Sequence, residues 1–437
     1  MSEVALNNPR TIRAWCMYDW ANSVYSLVIT SAIFPVYYQA VTTAADGNDK
    51  VNFLGFEVVN SVLYSYSISF AFLIIAPLLP LLSGMADYTG NKKFFMKLFC
   101  YTGGLACMGL YFFTGETLNW GIFCVIMSCI GYSGSFVFYD AFLPEIASED
   151  MFDKTSARGY SFGYYGSVIM MIIAMIFILS PATFGFPNAG IATRFSFLLV
   201  GLWWMGFAQI PFARLPDNPF HLQPGKQKLL KGYYEIVKVW HSLKESRDIK
   251  FYILAYFFYN MGVQTIMYLA ATFGSKELKL ADEKLIGTVL LIQLVAAVGA
   301  NLFAKYSKQR GNRHALITMI CIWIVVCVGC YFVYNEYQFY AVAFAVGIVM
   351  GGIQALSRAT YSKLIPKNSI NHASYFSFYD VTQNLSIVFG TFSYGLVEHI
   401  TGSMRNSTLA LASYFVIGLL FLVQVKSNSI QKTAISN

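Results

Sequence analysis

The sequence predicts an all-α membrane protein of twelve spanning helices arranged as two pseudo-symmetric six-helix bundles, and three observations predict it. Only 12% of the 437 residues are charged while 57% are hydrophobic, against roughly a quarter charged in ordinary soluble domains. Stretches long enough to cross a bilayer recur along the chain. About 20 apolar residues suffice for one crossing, because in lipid every backbone N–H and C=O must find its partner inside the helix. A polar segment near the middle divides these stretches six and six.

The first six run at 15–42, 57–82, 95–114, 119–142, 160–180 and 192–213. The second six run at 249–274, 284–304, 315–334, 338–360, 373–398 and 406–425. Charge-free runs such as 168–179 and 412–425 argue against a large soluble helical protein, whose core helices have apolar runs of about 10–14 residues with amphipathic flanks. The N-terminus opens on polar residues without a short apolar segment and small-residue cleavage site, so the first stretch is expected to stay as an anchor.

The segments 1–213 and 249–425 are expected to be the two bundles, joined by a linker at 214–248 and followed by a tail at 426–437. The linker holds Pro216, Pro219, Pro224 and Gly225 and then a basic run. Leu229, Tyr233, Ile236, Val237, Trp240 and Leu243 share one face of its second part, with lysines elsewhere. That pattern predicts an amphipathic helix on the inner leaflet, or a plain tether between the halves.

Orientation follows from the bias of Lys and Arg toward cytoplasmic loops. With the N-terminus inside, 24 of the 30 basic residues fall on the cytoplasmic side. The remaining six are Lys50, Arg194, Lys276, Lys279, Lys284 and Arg405. Both termini are therefore expected in the cytoplasm, and the net charge of +8 reports topology, with no nucleic-acid partner expected. All eight cysteines lie within or at the edges of apolar spans, where they behave as small hydrophobes. Cys327 and Cys330 form a C-x-x-C with no second pair or His nearby, so packing is favoured over a metal site. No cofactor is expected.

An internal repeat supports the division into halves. Ser135, Tyr139 and Pro144 of SFVFYDAFLP recur with identical spacing as Ser357, Tyr361 and Pro366 of SRATYSKLIP. Tyr18 and Asn22 align with Tyr256 and Asn260 at the first and seventh spans. Two six-helix halves related by an axis along the membrane normal are the plan of the major facilitator fold.

An ionisable group inside a span is costly unless it faces a wet cavity or a partner, so each is a functional candidate. They are Asp19, Asp140, Arg358, Asp380 and Glu398. Asp19 shares one helix face with Asn22, Ser23 and Ser26, at i, i+3, i+4 and i+7. That face either lines a solute pathway, with Asp19 as proton acceptor or counter-charge to an ammonium group, or holds an interfacial Asp in a cap or pair. Arg358, able to grip a carboxylate with two N–H groups, is expected to lock onto Asp140, Glu145 or Asp380, or else to bind a solute carboxylate. The eleventh span, with Ser374, Ser377, Asp380, Thr382, Gln383, Asn384 and Ser386, is too polar to face lipid all round. Tyr256, Tyr259, Asn260, Gln264 and Tyr268 on the seventh span, Gln354 on the tenth and the GYSFGYYGS opening of the fifth are candidates for a pocket wall or for packing. In the SGMADYTGNKK loop after the second span, Asp87, Lys92 and Lys93 are gating candidates, with Asp87 placed to meet a helix N-terminus. Arg158 joins them as a gating candidate.

Several of these motifs resemble one family in the right order along nearly the whole chain. They are YDWANS at 18–23, MADYTG at 85–90, VFYDAFLPEIAS at 137–148, YNMGVQTI at 259–266, GGIQALSRATYSKLIP at 351–366 and FYDV at 378–381. The chain resembles the bacterial "unknown major facilitator" family, related to the fungal vacuolar effluxers named from autophagy. The resemblance implies a twelve-helix alternating-access carrier and, through the fungal relatives, an amino-acid-like solute. Asp19 and Arg358 match the family pattern. Met261 stands where the family commonly has Asp, Gln383-Asn384 where it often has Gly-Lys, Ser83 where it has Gly and Tyr88 where it has Arg, so roles at those positions do not carry over.

The expected activity is secondary transport of a small polar solute through the bacterial inner (plasma) membrane, with protons as a coupling partner, by a monomer. Efflux of amphipathic compounds or lipids is the rival within transport, and a non-transporting receptor or scaffold is the rival outside it. An enzyme is not expected: the chain has no G-x-x-x-x-G-K-[ST], H-E-x-x-H or G-x-S-x-G, the signatures of phosphate-binding loops, zinc proteases and serine hydrolases.

Overall fold

The structure is a computed structural model that describes residues 6–44, 49–217, 228–280, 282–401 and 404–426. In the first half the spans are Pro9–Thr42, Asn60–Thr89, Lys92–Phe112, Gly115–Ile146, Glu149–Leu179 and Ala189–Arg214. In the second they are Arg247–Leu278, Lys284–Arg310, Asn312–Tyr331, Glu336–Leu364, His372–Thr401 and Met404–Val423. Among the described residues, ten of these are both long and apolar enough to cross a bilayer. The other two, the seventh and eleventh, have 32 and 30 residues and carry polar faces turned inward.

The helices outrun the apolar stretches, because hydropathy measures the lipid-facing length whereas a helix continues until something caps it. The fifth starts eight residues before the predicted Tyr160, at Phe152. The second continues through Ser83 to Thr89, so the expected loop shrinks to Gly90 and Asn91, with Gly90 in the left-handed region at φ 70°. Side chains of Asn8, Asn188, Ser246 and Asn335 accept from backbone N–H groups in the first turns of their helices, the usual preference for short polar caps. A two-stranded hairpin, β1 (Lys50–Phe53) and β2 (Phe56–Val59), fills the connection after the first span, where the apolar pattern suggested helix from 57.

The first span is interrupted. Pro9–Val24 is α-helical, Tyr25–Ala32 is π-helical, and Ile33–Thr42 returns to α. Wide turns of this kind cluster at functional positions because they break the hydrogen-bond ladder locally. This one begins six residues after Asp19.

The linker contains a helix, Lys228–Glu245. Val239 and Leu243 are its buried positions, while Tyr233 and Trp240 are exposed, so the face that packs is rotated from the predicted stripe. Leu229 lies outside the residues whose side chains are described. Trp240 stacks on Phe378 of the eleventh span, and Tyr375 donates to Ser242. This helix marks one end of the molecule, the linker end, where the halves meet.

Candidate functional site

The seventh span brings Tyr256, Tyr259, Asn260 and Gln264 onto one side through steps of three and four residues. These four and Gln354 line one small cavity. Ile353, Ser357, Tyr379 and Gln383 complete the wall on the second half, and Tyr160 closes it from the first. No wall residue carries a formal charge.

The wall is internally braced. Tyr256 donates to Gln383 Oε1 at 2.7 Å, Asn260 to Ser386 at 2.5 Å and Tyr164 to Gln354 Oε1 at 2.6 Å across the halves. Tyr259 and Ser357 share a hydrogen bond of 2.7 Å. The Tyr256 and Tyr379 rings stack with centroids 4.3 Å apart. Amides offer both donors and acceptors, and tyrosine faces attract cations, so the wall presents polar and cation-attracting groups without formal charge.

Beneath it lies a charge cluster. Arg358 is fully buried and donates from Nη1 to Asp140 at 2.9 Å, from Nη2 to Asp19 at 3.3 Å and to the Ser156 carbonyl at 3.1 Å, and from Nε to the Ser156 hydroxyl at 2.9 Å. Tyr139 donates to Asp19 Oδ2 at 2.6 Å. The rings of Tyr160, Trp15 and Tyr139 lie 4.3, 4.7 and 5.4 Å from the guanidinium carbon. Of the three lock partners expected for Arg358, the structure supplies Asp140, and Asp19 takes a second position. Asp380 instead accepts from Asn384 at 3.1 Å, and Glu145 pairs with Lys92 and His372.

The fifth span reaches this cluster through glycines. A Cβ on Gly159 would stand 2.5 Å from Asp19 Oδ2 and 3.0 Å from Arg358 Nη2, and one on Gly163 would collide with Ser23. The GYSFGYYGS opening thus divides its labour: its glycines admit the first span, and Tyr160 and Tyr164 face the second half.

The halves are joined at the linker end by further polar contacts. Asp87 accepts from the backbone N–H groups of Ala373 and Ser374 at 3.1 and 2.7 Å and from the Ser374 hydroxyl at 2.6 Å, so it does meet a helix N-terminus, that of the eleventh span. Asp153 is held by Lys363 and Asn312 at 2.8 and 2.7 Å. Ser156 donates to the Ala355 carbonyl and Ser161 to that of Ala297. Together these form a seam that closes one end of the central space.

Not every sequence candidate joins the site. Ser23 and Ser26 are partly exposed, with Ser26 donating to the Ser23 carbonyl. Asn22, expected beside them, is fully buried with neither side-chain amide atom bonded; the helical step rotates it away from the exposed positions. Lys93 pairs with Asp217 at 2.8 Å, away from the seam, and Arg158 lies over the Phe162 ring. The side chains of Tyr268 and Glu398 fall outside the described residues. Sequence reasoning reached Tyr160 only within the GYSFGYYGS stretch and Gln383 only among the polar residues of the eleventh span; it left out Ser357 and Tyr379 from the cavity, and Tyr139, Ser156, Asp153 and Lys363 from the contacts below it. Two of these, Tyr139 and Ser357, belong to the repeated Ser/Tyr/Pro pattern, which was the available signal.

The sequence model of the family described as "Vacuole effluxer Atg22 like" matches residues 7–434. The MFS-type transporter YxiO of Bacillus subtilis is 31% identical over 414 residues, covering 94% of each chain. Autophagy-related protein 22-1 of Aspergillus terreus is 21% identical, over 90% of this chain and 80% of the relative. Among solved structures, the E. coli fucose:proton symporter FucP superposes with a TM-score of 0.68 at 14% identity, covering 96% of this chain and 98% of its own.

Proposed function

The chain belongs to the Atg22-like vacuole-effluxer family of multi-pass major facilitator transporters, and on that premise we propose that it moves a small polar, amino-acid-like solute through the tyrosine–amide cavity with protons as the coupling ion. The observation that carries this reading is the cavity itself: an uncharged wall of four tyrosines and four amides, placed against the inter-half surface where Tyr160 of one bundle meets the other. A site in that position is accessible from one side of the membrane at a time when two halves rock about it. The family's description as a vacuole effluxer supports a transported solute, and the fucose:proton symporter, similar in fold, is in keeping with a proton.

The Lys and Arg distribution supports both termini and the linker helix in the cytoplasm, with the seam as the cytoplasmic gate. The state described is then the one that loads from the opposite side. The test is uptake of radiolabelled amino acids into proteoliposomes with and without a pH gradient. Saturable flux that responds to the gradient is expected, and no saturable flux for any amino acid overturns the solute class.

A further inference from the structure

Four ionisable side chains gather below the cavity: Asp19, Asp140, Asp380 and Arg358. Asp19 and Asp140 pair with the guanidinium, and all four side chains are buried, Asp380 at 8% exposure. Arg358 spends its described hydrogen bonds on Asp19, Asp140 and Ser156. Asp19 receives the Tyr139 hydroxyl in addition. Among the described residues, Asp380 receives only a neutral amide, from Asn384 one turn along its own helix. A buried carboxylate without a cation is expensive, so this third acid stands apart from the other two.

The neighbours of Asp380 reinforce the contrast. Asp140 of the fourth span acts on it electrostatically as a second acid, and Tyr160 of the fifth lies within the reach of its field. Tyr256 of the seventh span is bonded to Gln383, and Asp87 of the second to the first turn of the eleventh. Lys244 of the linker helix lies over Trp240, and Arg405 of the twelfth span is paired with Glu277. Tyr379 and Gln383, on either side of Asp380 in sequence, both line the cavity, which gives a short route between this acid and the solute space.

We infer that Asp380 is the residue that carries the coupling proton, while Asp19 and Asp140 remain ionised partners of Arg358. This assignment builds on the transport reading and moves the proton role from Asp19, which the structure commits to an ion pair, to the one cluster acid served by an amide alone. Protonation of Asp380 leaves the pairing of Arg358 with Asp19 and Asp140 untouched; its release restores a negative charge beside the cavity, where a solute ammonium group can answer it.

Two measurements on the full chain test this. In the first, the infrared C=O stretching band of a protonated carboxylic acid is followed as pH is varied, with no solute present. Wild type is expected to show a titrating band, Asp380→Asn to lose it, Asp380→Glu to shift it and Asp19→Asn to keep it. A wild type without such a band, or a band that survives in Asp380→Asn, overturns the assignment whatever the protein transports. In the second, an amino acid with saturable flux is followed in proteoliposomes. A gradient of one pH unit changes its steady-state distribution about tenfold per coupled proton, because 1.4 kcal/mol is a factor of ten. Asp380→Asn is expected to abolish that response while still exchanging labelled for unlabelled solute, with Asp380→Glu restoring it. An unchanged pH response in Asp380→Asn overturns the proposal.

Discussion

The ring of Tyr160 lies 4.3 Å from the guanidinium carbon of Arg358 and at the same time forms part of the cavity wall. One aromatic side chain therefore belongs both to an uncharged cavity wall and to a buried ion cluster. A cation over an aromatic face is held by ~0.5–2 kcal/mol, so Tyr160 contributes to seating the buried guanidinium.

Replacing Arg358 tests the cluster directly. Arg358→Ala leaves Asp19 and Asp140 buried without their shared cation, a loss of about 3–5 kcal/mol. A lower melting temperature, together with faster labelling of cysteines introduced along the seam, is the expected outcome. Arg358→Lys is expected to restore little, since one ammonium cannot reproduce a planar fork that reaches Asp19, Asp140 and Ser156 together.

Gly159→Ala is expected to weaken the closed arrangement, because the added methyl meets Asp19 and Arg358. Overpacking of this sort costs about 1–3 kcal/mol. The same substitution at Gly206, where a Cβ meets nothing within 4 Å, serves as the control. Thermal unfolding of the two variants side by side gives the comparison.

In the cavity, Tyr379→Ala removes the ring that stacks on Tyr256 at 4.3 Å, whereas Tyr379→Phe keeps it. Stacked aromatic pairs contribute about 0.5–1.5 kcal/mol beyond burial. The alanine variant is expected to raise the apparent KM for solute by roughly tenfold, a loss of about 1.4 kcal/mol, and the phenylalanine variant to stay close to wild type. Equal effects of the two would speak against a role for the ring.

Asp87→Asn keeps an acceptor oxygen at the N-terminus of the eleventh span but removes the charge. Charge at a helix N-terminus is worth ~0.3–2 kcal/mol, so the population closed at the linker end is expected to fall. Spin-label distances across the seam, measured with the wild type in the same lipid, report that shift.

The spans, their number and the division into halves were legible because bilayer crossing imposes a composition on twenty residues at a time. Asp19 and Arg358 were legible for the same reason, as charges standing out against apolar sequence. What the sequence did not carry was who faces whom. Arg358 could not be matched to Asp19 over the 339 positions that separate them, and Tyr379 looked like the many other aromatic residues of a chain that is 17% aromatic. Asn22 shows the reverse error: its polar character placed it on the cavity, and a rotation of the first span buried it. The π-helical segment was likewise invisible, since no residue type signals it.

The seam that closes the linker end is built with a consistent sign. In the ion pairs that cross it among the described residues, the acids Asp19, Asp140, Glu149 and Asp153 belong to the first half and the cations Arg358, Lys363 and Lys367 to the second, with Glu145 facing His372 in the same sense, while Lys92 pairs with Asp87 and Glu145 inside the first half. Drawn apart, the two faces would form the plates of a capacitor, negative on one bundle and positive on the other. A dipolar solute leaving between them would be turned to lie across the gap, its ammonium end toward the first bundle and its carboxylate toward the second.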